Sequence, residues 1–255
     1  MIHSFRNFKN NIDFFLRKNI TFSRKNYTEQ NESKEKLFSK KITLEKELKF
    51  LEKYDLAYLK SNSTRQNYLE NLYTIDLLDK YLAPTLKDEI SVLDVGCKNW
   101  FYVKGEYFFF KKYSKNLILD GVELDSNRLY TNFYSRGEVA KFYTKGIGAN
   151  YISGDFLKHT DNYDYLIWIL PFVVEEPFVK WGLPMKYFKP EAMLKHAWKL
   201  LNKDGQIFII NQGEVEYEVQ KNLCEGLNIQ FSELCEIKSE FLQYEIPRYG
   251  ILIKK

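Results

Sequence analysis

The stretch that decides the fold is Val92-Leu93-Asp94-Val95-Gly96-Cys97-Lys98-Asn99-Trp100. An apolar run ends in an acid, a glycine follows, and an aromatic-rich segment begins. That order predicts a strand turning into a helix. A glycine in such a turn lets a ligand approach the backbone closely. Open α/β sheets bind ligands at the carboxyl ends of their strands, where the strand order reverses. Asp94 at this tip would hold a cationic amino group by a charge-assisted hydrogen bond.

The same tip chemistry recurs downstream. The next apolar strand ends Gly121-Val122-Glu123-Leu124-Asp125, where a carboxylate suits the two hydroxyls of a ribose. The third ends Ser153-Gly154-Asp155-Phe156, where an acid suits the exocyclic amine of an adenine. Taken singly, each acid is equally an ordinary solvated residue. Together, at the tips of three successive strands, they describe a pocket for a nucleoside carrying an amino group. Asp125 is read as a cap for the following helix.

From Ser91 onward strands and helices alternate. Strands are expected at 91–96, 117–125, 151–156, 163–172 and 206–212, with two more in the tail, the last at 249–254. Helices are expected up to about Lys115, from Ser126 as cap to Lys145, and over 191–201 and 215–227. Asn202-Lys203-Asp204-Gly205 reads as a turn. This alternation predicts a parallel sheet covered on both faces. Residues 1–85 contain no glycine and no strand alternation. Ile2, Phe5, Phe8, Ile12 and Phe15 recur at helical spacing. Leu44, Leu48, Leu51 and Leu59 mark a second helix, with Thr43 as N-cap. A third runs from Thr64 to Leu82, stopped by Pro84. Residues 22–40 read as a polar loop or a loosely held helix. The chain is thus divided into a helical N-terminal extension (1–85) and an α/β domain (86–255).

This pattern resembles the class I S-adenosylmethionine-dependent methyltransferases, from about Glu89 to the end. In that family the first strand leads into an acid-x-Gly-x-Gly-x-Gly turn. Asp94 and Gly96 fit it; Lys98 and Trp100 replace the second and third glycines. Glu123 matches the ribose-binding acid and Asp155 the adenine-binding acid. Leu170-Pro171-Phe172 falls at the motif after the fourth strand, beside the methyl group. The resemblance implies a Rossmann-like, mostly parallel seven-stranded sheet with an antiparallel C-terminal strand. It also implies S-adenosylmethionine as cofactor, held by Asp94, Gly96, Glu123, Asp155, Leu170 and Pro171. Lysine is disfavoured at positive φ, so the turn is expected to depart from the common form, with Asn99 taking the left-handed conformation. The glycines of G-x-G-x-x-G beyond Gly96 are missing, which argues against a dinucleotide oxidoreductase.

Acceptor identity is less legible. Ile169-Leu170-Pro171-Phe172 lacks the polar first residue and first proline of the Asp/Asn-Pro-Pro-aromatic tetrapeptide used to methylate amino groups of DNA bases. A small-molecule or protein acceptor is therefore favoured over nucleic acid. Pro171, Pro177, Pro184 and Pro190, interleaved with aromatics, form either a substrate lid or a packed loop, and Glu175-Glu176 would supply a base in the lid reading. At the fifth strand tip, Gln212 or Glu214 would reach the acceptor. Trp100 or Phe101 faces a sulfonium by a cation–π contact or belongs to the core. Cys97 reads as a buried structural thiol. Two other readings stand: a non-catalytic nucleoside-binding or assembly module, and a nucleic-acid methyltransferase guided by a basic extension.

Composition sets the outer bounds. The 255 residues are 45% hydrophobic and 28% charged, which excludes a largely disordered chain. The formal net charge is +4, too small to indicate a nucleic-acid binder by itself. The excess concentrates early: Arg6, Lys9, Arg17, Lys18, Arg24 and Lys25 face Asp13 alone within residues 1–28. That basic helix suits docking on the domain, a homodimer contact, an anionic partner or a membrane surface. Three cysteines without a CxxC pair suit a reducing compartment. With no apolar run near the ~18 residues of a membrane span and no signal-peptide pattern, a soluble cytoplasmic protein is expected. His3, His159 and His196 are scattered, so no metal site is expected.

Overall fold

A computed structural model describes residues 2–20, 24 and 26–255, with Ile2 and His3 as backbone only. The Ile2 and His3 side chains, and Phe22, Ser23 and Lys25 of the expected polar stretch, lie outside the described residues.

Seven strands form one sheet: β1 (Lys87–Val95), β2 (Ser114–Glu123), β3 (Asn150–Ser153), β4 (Tyr163–Ile169), β5 (Leu201–Gln212), β6 (Phe231–Ile237) and β7 (Arg248–Lys254). Their order is β3-β2-β1-β4-β5-β7-β6. All pairs are parallel except those of β7, which runs antiparallel to β5 and β6. The chain steps outward from β1 through β2 to β3, then crosses to β4 on the other side of β1. The reversal therefore lies between β1 and β4, and the crevice it creates is the ordinary ligand position of such sheets.

Side chains of successive strand residues point to opposite faces, and both faces are apolar. Ile90, Val92, Leu119, Ile167 and Phe208 pack on one side with α4 (Arg65–Tyr81) and α5 (Val103–Lys111). Leu93, Val95, Val122, Leu166 and Ile209 pack on the other, with α8 (Pro190–Leu200) and Cys224 of α9 (Gly213–Gly226). Helices before β1 share the first of these cores: Phe50 and Tyr54 of α2 (Lys41–Tyr54) and Leu59 of α3 (Ala57–Ser61) join it. Thr64 caps α4 by accepting from Asn67 N, as the sequence predicts.

Several local expectations are corrected. Lys40, not Thr43, precedes α2, and Thr43 is buried within it. The buried face of α2 is Thr43, Glu47, Phe50 and Tyr54, leaving Leu44 and Leu48 exposed. Ser126 caps nothing: α6 is Arg136–Thr144, and Ser135 and Glu138 form its capping box. The 202–205 turn is a bulge inside β5, where Asp204 takes φ 64° and its N–H donates to the Lys255 carbonyl. Prolines do not keep 171–190 irregular throughout. Pro177 sits in the first turn of α7 (Glu175–Lys180), where its missing N–H costs little.

Helices α4 and α5 approach closely at Gly105. Gly105 N donates to Asn71 Oδ1 at 2.6 Å. A Cβ at Gly105 would lie 2.7 Å from the Asn71 carbonyl oxygen. Gly105→Ala should destabilise the protein by about 1–3 kcal/mol, the usual cost of overpacking. Urea unfolding checks this, and an unchanged midpoint would contradict the packing.

Candidate functional site

The turn after β1 builds one wall of the site. Gly96, Lys98 and Trp100 all lie at positive φ, 75°, 61° and 47°. These are the three glycine positions of the family turn. Lys98 and Trp100 themselves take the left-handed conformation and Asn99 does not, contrary to the expectation that Asn99 would. A non-glycine residue held there costs roughly 1–3 kcal/mol, so surrounding contacts must over-determine it. Glu123 supplies one: its Oε2 accepts from Lys98 N at 3.0 Å. Tyr151 donates its hydroxyl to the Lys98 carbonyl at 2.7 Å. Trp100 supplies another. Its indole is fully buried over Gly121, where a Cβ would come within 2.8 Å of the ring. Its Nε1 donates to Glu106 Oε2 at 2.9 Å. The indole therefore belongs to the core, not to a ligand face.

Behind the turn lies a buried pair of acids, Asp94 and Glu106. Neither Asp94 oxygen makes a well-formed hydrogen bond, although Tyr102, Glu106 and Trp100 lie close enough to favour its charged form. Burial dominates and pushes the Asp94 carboxyl up to about 7. Burial, reinforced by Asp94, raises Glu106 well above the carboxylate range. Burial likewise pushes the Cys97 thiol up, as an inert structural thiol requires.

A cavity of about 770 Å³ opens beside this turn at the strand tips. Five of the six predicted residues line it: Gly96, Glu123, Asp155, Leu170 and Pro171. Asp94, wholly buried, does not. Gly96 and Gly154 present bare backbone to the cavity, and a Cβ at either would meet nothing within 4 Å. Leu170 is held at φ 57° and donates its N–H to the Ile210 carbonyl at 2.7 Å. Asp155 caps a short turn through its Oδ1, which accepts from Leu157 N at 3.0 Å. Glu123 also pairs with buried Arg136 (Nη1–Oε1 3.1 Å) and accepts from Asp125 N at 2.8 Å. Asp125 is no helix cap; it binds Arg128 at 2.7 Å and Arg17 of α1 (Ile2–Asn19) at 3.0 Å.

The 171–190 segment packs on the domain and also borders the cavity. Phe172, Phe178, Trp181 and Leu183 line the cavity and also pack in a cluster with Phe14 of α1. Lys98 Nζ lies 5.0 Å and the Arg136 guanidinium 5.3 Å from the Trp181 ring centre. Burial and the Arg136 charge lower the Lys98 pKa. Phe101 lines the cavity, whereas Trp100 does not. Glu175, Glu176 and Glu214 are exposed and outside the wall; Gln212 is in it.

Sequence reasoning missed the opposite wall. Glu70 and Tyr73 of α4, with Tyr244 and Arg248, line it. Tyr244 donates its hydroxyl to Glu70 Oε2 at 2.5 Å, and Gln66 Nε2 donates to Oε1 at 2.8 Å. Burial raises the Glu70 carboxyl above its ordinary range despite these bonds. Among the described residues the buried Tyr73 hydroxyl has no hydrogen-bond partner. One signal was present: Asn67, Glu70, Asn71 and Thr74 recur at helical spacing, and all four are buried.

No protein-family model matches the sequence, and no curated protein sequence matches it. Solved structures do match. An S-adenosylmethionine-dependent methyltransferase from Aquifex aeolicus aligns with a TM-score of 0.51 at 14% identity, over 73% of this chain and 91% of that one. A putative class I S-adenosylmethionine-dependent methyltransferase from Listeria monocytogenes aligns with a TM-score of 0.50 at 11% identity, over 73% of this chain and 59% of that one. At these identities the likeness shows the fold: a Rossmann-like methyltransferase sheet, with its antiparallel C-terminal strand.

The buried acids make stability depend on pH. The folded state keeps the Asp94 proton where the unfolded chain, with its carboxyl near 3.8, releases it. This group's contribution therefore falls as pH rises from 3.8 to about 7, then stays constant. Asp94→Asn should remove that fall. Across this window the thermal midpoint of the native protein should drop several degrees relative to the variant, and parallel curves would refute the assignment.

Proposed function

We propose that the protein binds S-adenosylmethionine in the strand-tip cavity and transfers its methyl group to an acceptor entering from the α4 side. The observation that carries this reading is the convergence of Gly96, Glu123, Asp155, Leu170 and Pro171 on one cavity at the β1/β4 reversal. Its volume, about 770 Å³, falls in the range of cofactor pockets, about 300–1,000 Å³. Bare backbone at Gly96 and Gly154 leaves room for a ligand to lie against the sheet edge.

When bound, the cofactor supplies an activated methyl carbon on a positively charged sulfur. Glu123 Oε2, which accepts from Lys98 N, keeps lone-pair capacity for a ribose hydroxyl. Asp155 would accept from the adenine amine. Leu170, fixed in a left-handed conformation, and Pro171 would wall the methyl end. Displacement at carbon depends chiefly on alignment of the acceptor. The bound cofactor would supply that carbon to the acceptor atom, with the bonding pair left on its sulfur. An acceptor that enters protonated loses that proton to Glu70, whose carboxyl faces the cavity and whose raised pKa suits a base. Asp94 acts through the turn and not by touching the ligand. A small molecule or protein is favoured as acceptor, and the division into a 1–85 extension and an 86–255 catalytic domain belongs to the same proposal.

Calorimetric titration with S-adenosylmethionine and S-adenosylhomocysteine tests the cofactor claim. Micromolar binding of both is expected, weakened at least about tenfold in Glu123→Ala, since each 1.4 kcal/mol of lost contact is tenfold. No binding of either at millimolar concentration would overturn it. Transfer of labelled methyl into a cell extract tests catalysis. Glu70→Gln should keep S-adenosylhomocysteine affinity within about twofold while cutting incorporation by about 100-fold, the lower range for general bases. Binding without incorporation in any protein, metabolite or nucleic-acid fraction would instead favour a nucleoside-binding module.

A further inference from the structure

Helix α1 is turned opposite to the usual rule. Its polar side docks. Asn10 Nδ2 donates to the Val179 and Leu183 carbonyls at 2.9 and 3.1 Å. Asn7 Oδ1 accepts from Met185 N at 2.9 Å, and Arg17 binds Asp125 and the Gly182 carbonyl. Phe14 is the one large apolar side chain on this side. The other side carries Phe5, Phe8, Ile12, Phe15 and Leu16, with Phe5 71%, Phe8 63% and Phe15 64% exposed, and exposed Ile20 follows just past the helix end. At 100° per residue these five helical side chains fall within an arc of about 100°, shared with Asn19 and opposite the docked one. Exposed Lys9 borders it on one edge, followed by half-buried Asp13 and exposed Arg6, and exposed Lys18 lies beyond the other edge.

We propose that this face of α1 seats the protein on an anionic lipid bilayer. An amphipathic helix lying in the interface plane buries its apolar face ~5–10 Å deep, with Lys and Arg at headgroup level. The arrangement matches: large apolar side chains outward, cations at both margins, polar side held by the protein. A second copy of the chain fits less well. An 18-residue helix is about 27 Å long and about 10 Å wide, so one face buries on the order of 300–400 Å². A stable dimer needs about 800 Å² per partner, and two basic margins would repel. Among the described residues no helix is long and apolar enough to cross a membrane, so the contact is peripheral. This inference stands apart from the proposed methyl transfer, because vesicle binding is read without cofactor.

The test is sedimentation of the full chain with vesicles of phosphatidylcholine, with and without phosphatidylserine. Binding to the anionic vesicles is expected, reduced by salt and on neutral vesicles. Phe8→Ser with Phe15→Ser should lower the partition coefficient at least about tenfold, with circular dichroism and thermal midpoint unchanged because both rings are exposed. Lys9→Glu with Lys18→Glu should weaken binding to the anionic vesicles alone. A chain that stays in solution with both vesicle types overturns the proposal. So does undiminished binding by the phenylalanine variant, or self-association lost in that variant without any vesicle binding.

Discussion

The packing of the Trp100 indole over Gly121 is the contact on which the site rests. The ring fits only because the β2 position beneath it has no Cβ. Once there, its N–H is tied to Glu106 and its backbone is pulled to positive φ. Lys98 is pulled with it, and its N–H is directed at Glu123. Glycine would reach the same shape by conformational freedom. This chain reaches it by burial and hydrogen bonding, and pays in buried acids with displaced pKa values. The turn is consequently stiffer than a glycine-rich one, since each strained residue is anchored at its side chain or its amide.

Electrostatics follow from that anchoring. Glu123 is shared among Lys98 N, Asp125 N and the buried Arg136 guanidinium. Arg136 and Lys98 both border the Trp181 ring. Acid, guanidinium, ammonium and indole thus form one connected patch across the cavity mouth. Partly desolvated charges interact more strongly than exposed ones, so the patch fixes the position of the 171–190 wall as well as that of the carboxylate.

The parts of this fold that repeat a local rule were legible in the sequence. Apolar runs ending in Asp or Glu marked β1 and β2, the alternation predicted a parallel sheet covered on both faces, and the antiparallel end came with the resemblance. Boundaries failed where long-range partners set them. Ser126 has the chemistry of a cap, yet the Ser135–Glu138 pair offers two reciprocal bonds, and 124–135 stays irregular. The orientation of α1 was illegible because apolar spacing says which residues share a face and not which way that face turns. Glu70 was missed because its cavity exists only once α4 folds over the strand tips. Asp94 matched its motif in sequence, but its burial depends on Glu106 and Tyr102, which only the turn brings near.

One link joins the two ends of the molecule. Arg17 of α1 grips the Asp125 carboxylate, while the Asp125 amide donates to Glu123. The outer helix and the carboxylate at the β2 tip are therefore separated by a single residue's side chain and backbone. Any free energy by which occupancy at one end biases the Asp125 conformation is felt with equal size at the other, because linkage between two bound states is reciprocal.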